Sequence, residues 1–376
     1  MDTVKFLSAI ESLGIDFYTG VPDSLISPFI DSIISRHGIS SKHIIAANEG
    51  AAVGLAAGHY LATSKPALVY MQNSGIGNAI NPIGSLLHEN VYAIPVVFVI
   101  GWRGEPGEKD EPQHVYQGRA TLSMLECLEM PYAVISSETD ENNLARHLDE
   151  FKTYLEKGKS VAFVIRKGGL SGGLRPNYTS DAKLSREQTL KMILSASDVD
   201  GFFVCSTGKL SREVYEIREQ EKTGHSRDFL TVGSMGHSLM IAYGIAIEKP
   251  EKRIFCLDGD GAVLMHMGNL SVVGANNPKN LVHIVLNNGA HESVGGMPAV
   301  SGCLNLCNVA SALGYRHSFR AETESECMSA LSKIKNLDGA IFLEIVCNLE
   351  SRADLGRPTT SPIQNKNELM ASLKEM

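Results

Sequence analysis

The chain has 376 residues, 43% of them hydrophobic and 20% charged, with a formal net charge of −8. That length suits two domains, each able to bury its own core, and the composition is that of a globular protein rather than a disordered one. The acidic balance excludes a general attraction to nucleic acid or anionic membrane, so an anionic ligand has to be held by local positive groups. Seven cysteines lie scattered without a paired framework, and Cys303 and Cys307 lack the second pair that zinc spacing requires. Met1-Asp2-Thr3-Val4-Lys5 does not read as a signal peptide and no apolar run reaches membrane-spanning length, so the expected compartment is the cytosol.

Taken in order, Lys5 to Leu13 reads as a short amphipathic helix, followed by strands at Asp16–Thr19, His43–Ala47, Ala67–Met71, Pro95–Ile100, Tyr132–Ile135 and Val161–Ile165. Helical stretches separate them, which predicts an α/β domain with a parallel, doubly wound sheet over residues 1–169. Residues 170–184 are rich in Gly and Ser and lack periodicity, and are expected to be a linker. The pattern then restarts, with strands at Gly201–Ser206, Asp228–Val232, Arg253–Leu257, Leu281–Leu286 and Ala340–Val346 in a second doubly wound domain over 185–360. Residues 361–376 read as a polar tail. The two halves share an architecture, not a sequence repeat. In open sheets of this kind ligands bind beyond the carboxyl ends of the strands, and the polar motifs all sit at such ends.

The central motif is Gly259-Asp260-Gly261, a tight turn after the strand Ile254–Leu257. Asn287-Asn288 answers it across 25 intervening residues (262–286), room for one crossover helix and a return strand. The carboxylate of Asp260, the amide oxygen of Asn287 and a nearby backbone carbonyl suit a hard cation such as Mg²⁺ or Ca²⁺. Mg²⁺ leaves positions for phosphate oxygens, so a diphosphate is the natural guest. This spacing resembles the thiamine diphosphate signature of the pyruvate decarboxylase and acetolactate synthase superfamily. The resemblance implies a pyrimidine-binding domain (1–169) and a diphosphate-binding domain (185–360), without the middle domain that many members carry. The short form is similar to the phosphonopyruvate and sulfopyruvate decarboxylases, over about residues 1–350.

The resemblance implies roles residue by residue. Glu49, which opens a helix in Asn48-Glu49-Gly50-Ala51-Ala52, matches the glutamate that hydrogen-bonds N1′ of the aminopyrimidine; taken alone, it is a carboxylate favoured by a helix N-terminus. Met235 in Gly233-Ser234-Met235-Gly236 matches the apolar wedge that bends the cofactor, with the Gly233 carbonyl on the 4′-amino group. Ser206, Thr207 and Gly208, together with Gly259, Gly261 and Ala262, are expected at the diphosphate, and Asp260, Asn287 and the Gly289 carbonyl at Mg²⁺. Gln72-Asn73-Ser74-Gly75-Ile76-Gly77 lacks the third glycine of a dinucleotide fingerprint and resembles the Ser-Gly turn of the pyrimidine domain.

Substrate contacts are expected from three loops. Asp23 and Ser24 follow the first strand, and Asp23 is a candidate for proton handling. Residues 101–114 read as a long loop, a lid or binding element, carrying Arg103, Lys109 and His114; Arg and Lys suit a phosphonate, and His114 is a further catalytic candidate. His291, Glu292 and Ser293 follow the cofactor motif. His37, His59, His88 and His266 show no ligand spacing. The expected activity is thiamine diphosphate- and Mg²⁺-dependent decarboxylation of 3-phosphonopyruvate to phosphonoacetaldehyde, a step of phosphonate biosynthesis. Alternatives are a sulfopyruvate decarboxylase, an acetolactate-type carboligase and a non-catalytic thiamine-binding subunit. The resemblance further implies at least a homodimer, with the cofactor between the pyrimidine domain of one subunit and the diphosphate domain of another.

Overall fold

The computed structural model describes residues 1–173, 176–196, 201–352 and 354–375. It divides into two compact units, 1–177 and 178–376. The division falls inside the stretch read as a linker, of which Leu174 and Arg175 lie outside the described residues. Each end of that stretch is tied to its own unit. Ser171 bridges to Asp2 in the first, and Leu184 bridges to Cys347 in the second.

The first unit holds β1 (Tyr18–Gly20), β2 (His43–Ile45), β3 (Ala67–Gln72), β4 (Val96–Gly101), β5 (Tyr132–Ile135) and β6 (Val161–Ile165). They form one parallel sheet in the order β2-β1-β3-β4-β6-β5. β4 and β6 are buried along their whole length, as continuous apolar runs such as Val161-Ala162-Phe163-Val164-Ile165 require when helices cover both faces. The second unit holds β7 (Phe202–Cys205), β8 (Asp228–Leu230), β9 (Ile254–Gly259) and β10 (Leu281–Asn287). A small hairpin of β11 (Ala290–His291) and β12 (Met297–Pro298) follows, then β13 (His317–Ala321) and β14 (Ile341–Val346). Its main sheet is parallel with the order β13-β14-β10-β9-β7-β8. Numbered within its own unit, that order read backwards is the order of the first sheet. Among the described residues no further sheet intervenes between the two.

Three expectations are corrected. The second sheet has six strands rather than five, because His317-Ser318-Phe319-Arg320-Ala321 forms an edge strand with only Ala321 buried, too polar to read as one. Residues 101–114 are not one loop: a helix begins at Pro112 and runs to Cys127, so His114 lies in its first turn. Proline is at home there, since the first turn has no partner for the missing N–H. Residues 361–376 are no polar tail. Ser361 caps a helix over Pro362–Ser372 by accepting from Gln364 N, and Leu369 and Leu373 of this segment join the core beneath the sheet.

That last helix also closes an edge. β8 pairs with β7 on one side only. On the other side the Asn365 amide accepts from Leu230 N at 3.0 Å and donates to the Asp228 carbonyl at 2.8 Å, standing in for a neighbouring strand. Asn365 is 4% exposed, so Asn365→Ala leaves two buried backbone groups without partners. The expected loss of stability is about 1–3 kcal/mol, checked by denaturant unfolding; a change within error would contradict this role.

Candidate active site

In the first unit, two carboxylates are buried at strand ends. The chain leaves β2 at Ile45, and Asn48 caps the helix Glu49–Thr63 by accepting from Ala51 N. This puts Glu49 at the helix start, 5% exposed. Burial holds its carboxyl above the usual range, against a partial pull downward from Asn78, whose Nδ2 donates to Oε2 at 2.8 Å. Gly75 lies so close that a Cβ there would collide with the Glu49 carboxyl. The Ser-Gly turn after β3 thus packs on Glu49 through Gly75 and Asn78, contacts that sequence reasoning did not single out.

Asp23 follows β1 and is 1% exposed. Burial raises its pKa to about 6, against the attraction of Arg103. Its Oδ2 accepts from Leu25 N at 3.2 Å, and its Oδ1 has no hydrogen-bond partner among the described residues. Gly101, at the end of β4, leaves the room: a Cβ there would strike the Asp23 carboxyl. Arg103 donates to Asp110 through Nε (2.8 Å) and Nη2 (2.7 Å), and through Nη1 to Ser24 Oγ at 3.1 Å. Its bidentate face is therefore already committed to a carboxylate. The start of this segment is pinned. Trp102 donates to the Gly118 carbonyl, and Asn73 exchanges hydrogen bonds with the Arg103 backbone. His114 has a pKa lowered by burial and then by Arg103; its Nδ1, like Oε1 of Gln113, is buried without a partner among the described residues. Lys109 is exposed. The structure thus brings Asp23, Ser24, Arg103 and Asp110 into one polar cluster, with His114 close enough to feel both charges of the Arg103–Asp110 pair.

In the second unit, the turn after β9 and the end of β10 meet. Asp260 is 3% exposed, and burial raises its pKa to about 6, against a hydrogen bond from Ser301 and backbone N–H groups that include Gly261 and Asn288. Asn287 is 5% exposed; its Oδ1 accepts from Gly289 N at 3.0 Å and its Nδ2 donates to Glu344 Oε1 at 2.8 Å. The Gly289 carbonyl accepts from Ala299 N at 2.8 Å, which leaves one lone pair. Carboxylate, amide oxygen and carbonyl form the hard-oxygen set that Mg²⁺ takes.

The surroundings fit a diphosphate. The helix at Lys209–Glu221 starts from Gly208 with no side-chain cap among the described residues, so its first N–H groups are available to an anion, whereas those at the start of Asp260–Met265 face the Asp260 carboxyl. Nothing lies within 4 Å of a Cβ built on Gly208 or Gly259. Ser206 is buried, with Thr207 half-buried beside it. Past Gly233, Ser234 adopts a left-handed φ of 54° and presents Met235, whose Cε lies 3.2 Å from where a Cβ of Gly261 would stand. Gly261 is what lets the methionine approach, so the two motifs touch.

The loop after Asn288 differs from expectation in one respect. Glu292 is not a free side chain. It pairs with Arg186, which is held by Glu213, and with Lys209 at 3.1 Å, and it accepts from Asn288 Nδ2 at 2.9 Å. His291 is neutral, its pKa pushed down to about 4 by burial, and Ser293 is exposed. The one cluster of three potential metal ligands found among the described residues is a different set, Cys256, Asp258 and His283, buried on β9 and β10.

Comparison with known proteins accords with this geometry. Residues 4–124 match the family described as thiamine pyrophosphate enzyme, N-terminal TPP binding domain, and residues 206–345 match its C-terminal TPP binding domain. The chain belongs to the thiamine pyrophosphate enzymes, and within them to the decarboxylases, which are carbon–carbon lyases. It is 34% identical to a phosphonopyruvate decarboxylase of Streptomyces viridochromogenes, over 95% of this chain and 91% of that one. It is 33% identical to a phosphonopyruvate decarboxylase of Streptomyces hygroscopicus, over 95% and 90%. A sulfopyruvate decarboxylase of Methanosarcina acetivorans is 27% identical, over 91% and 90%. Among the described residues no helix is long and apolar enough to cross a membrane.

The raised pKa of Asp23 gives a signed pH dependence. A carboxyl that keeps its proton longer when folded contributes most to stability below its unfolded value near 4, and the contribution is lost as pH rises to about 6. Asp23→Asn escapes that loss. The cofactor-free variant is expected to melt several degrees above wild type at pH 8, with an upper bound of about 3 kcal/mol, and the gap should narrow by pH 5. Calorimetry at both pH values checks this; wild type melting higher at pH 8 would contradict the buried-charge account.

Proposed function

We propose that this protein is a thiamine diphosphate- and Mg²⁺-dependent decarboxylase that converts 3-phosphonopyruvate to phosphonoacetaldehyde and CO₂ in phosphonate biosynthesis. The observation that carries the reading is likeness across both domains to the two Streptomyces phosphonopyruvate decarboxylases. The donor set at Asp260, Asn287 and Gly289 supports the metal, and the uncapped helix start at Lys209 supports the diphosphate.

In this reading Asp260, Asn287 and the Gly289 carbonyl hold Mg²⁺. Gly259, Gly261, Ala262, Ser206, Thr207 and Gly208 receive the diphosphate, Met235 supports the cofactor's bend, and the Gly233 carbonyl takes the 4′-amino group. When bound, the cofactor would supply an electron sink for the pair of electrons left at the keto carbon as CO₂ departs. Glu49 shares a proton with the pyrimidine N1′ through its buried carboxyl, whose pKa burial raises and so favours the protonated form more than an exposed glutamate would. Asp23 and His114 are the groups that handle protons at the reacting carbon. Both have shifted pKa values and an unpartnered polar atom, as groups waiting for substrate should.

For the substrate's anionic end, the edge of Arg103 nearest Ser24 and the exposed Lys109 supply positive charge, while Asp110 holds the guanidinium in place. His291 and Ser293 serve the same end from the second unit, and Glu292 anchors their loop instead of touching substrate. The working enzyme is a cytosolic homodimer or larger assembly, in which a pyrimidine domain and a diphosphate domain from different subunits complete each site.

The test is CO₂ release from 3-phosphonopyruvate and 3-sulfopyruvate, side by side, with thiamine diphosphate and Mg²⁺ supplied or withheld. Cofactor-dependent turnover that favours phosphonopyruvate is expected. Preference for sulfopyruvate would overturn the substrate, and no release from either would overturn the activity.

A further inference from the structure

A glutamate stands in the middle of an otherwise apolar strand that is buried up to its last residue. Glu344 lies on β14 in the run Ile341-Phe342-Leu343-Glu344-Ile345-Val346, 0% exposed, paired in register with Val285 of β10. A charge in such a place is expensive unless it is matched, so its partners indicate its purpose. Its two oxygens accept from two donors: Asn287 Nδ2 at 2.8 Å and Cys307 N at 3.1 Å. The exposed Arg320 guanidinium, which pairs with Glu322 at 2.7 Å, lies 3.6 Å away.

Asn287 is thereby gripped from both sides. The Gly289 N–H can only donate, so it faces the Asn287 oxygen, and the Glu344 oxygen can only accept from that amide, so it faces the nitrogen. The amide cannot turn over without losing both hydrogen bonds. A turned amide would present its NH₂, with partial positive charge, in place of its oxygen.

We infer that Glu344 is a positioning residue for the metal centre, which fixes the Asn287 amide so that its oxygen is the atom offered to the cation. The inference rests on the proposed role of Asp260 and Asn287 as Mg²⁺ ligands. The two donors also make the requirement specific to a carboxylate. A glutamine at 344 accepts from only one of them; if it accepts from Cys307 N, its own NH₂ faces Asn287 and favours the turned amide.

The experiment measures Mn²⁺ dissociation constants by electron paramagnetic resonance, with thiamine diphosphate present and no substrate, for wild type, Asp260→Ala, Glu344→Gln, Asn287→Asp and the double variant Asn287→Asp/Glu344→Gln. Circular dichroism checks that each is folded. Glu344→Gln is expected to bind Mn²⁺ about 10–100-fold more weakly, the range typical when a partner of a metal ligand is removed. Asn287→Asp sets two buried carboxyls against each other and weakens binding as well. In the double variant the amide introduced at position 344 donates to the carboxylate introduced at position 287, and affinity recovers relative to Asn287→Asp alone. A loss of packing would not produce that recovery.

If folded Glu344→Gln binds as wild type does, or the double variant binds no more tightly than Asn287→Asp, the inference is wrong while the metal reading stands. If Asp260→Ala leaves wild-type affinity unchanged, the metal reading itself is wrong and the inference goes with it. If Glu344→Gln does not fold, the comparison of Asn287→Asp with its double variant decides, and a double variant that does not fold either makes Glu344 a packing residue and overturns the inference.

Discussion

The structure depends on keeping carboxyls out of water at the ends of parallel strands. Glu49, Asp23 and Asp260 each sit where a strand gives way to a turn or helix, and burial is the first cause of the raised pKa of all three. Desolvation of this kind works against folding, so the surroundings must offset it. Backbone N–H groups at helix starts do part of this for Asp260, and Asn78 does it for Glu49. What they leave uncompensated is the chemistry: carboxyls held above their usual range by burial. Gly75 and Gly101 are required because the Glu49 and Asp23 carboxyls come closer to the backbone there than a Cβ permits.

Both domains apply the same arrangement. Their sheets share one strand order, so each offers the same crevice geometry at its carboxyl edge. One domain fills it with acids and a committed arginine, and the other with oxygen donors and an uncapped helix start. The buried ion pairs around Glu292 belong to the support for this arrangement. Arg186, Glu213 and Lys209 hold the loop that follows Asn288, and Asn288 itself donates into the same network.

The central strands were legible because fully buried parallel strands are unbroken apolar runs, as in β6; the half-buried edge strand β5 also falls on the residues read as a strand. β13 was not, since an edge strand covered on one side keeps polar residues such as Arg320. The repeated strand order could have exposed it, because β13 occupies the place that β5 occupies in the first unit. The closing helix was hidden by its polar composition; its role lies in two apolar side chains and one asparagine amide. At the candidate site, the spacing from Gly261 to Asn287 carried the pairing of turn and strand. It could not show that Glu292 and Arg103 are engaged in ion pairs, because their partners Arg186 and Asp110 give no periodic signal. Glu344 did leave a trace, a lone charge in Ile-Phe-Leu-Glu-Ile-Val, a pattern that a buried strand tolerates only with matched partners.

The central claim is that the buried Glu49 carboxyl activates the cofactor. The most direct measurement is the exchange rate of the C2 proton of bound thiamine diphosphate for deuterium, followed by NMR after acid quench, in wild type and Glu49→Gln. The variant should retain the fold and exchange about 10²-fold or more slowly, the scale of a lost general acid–base group. Equal rates in two folded, cofactor-bound proteins would contradict the account.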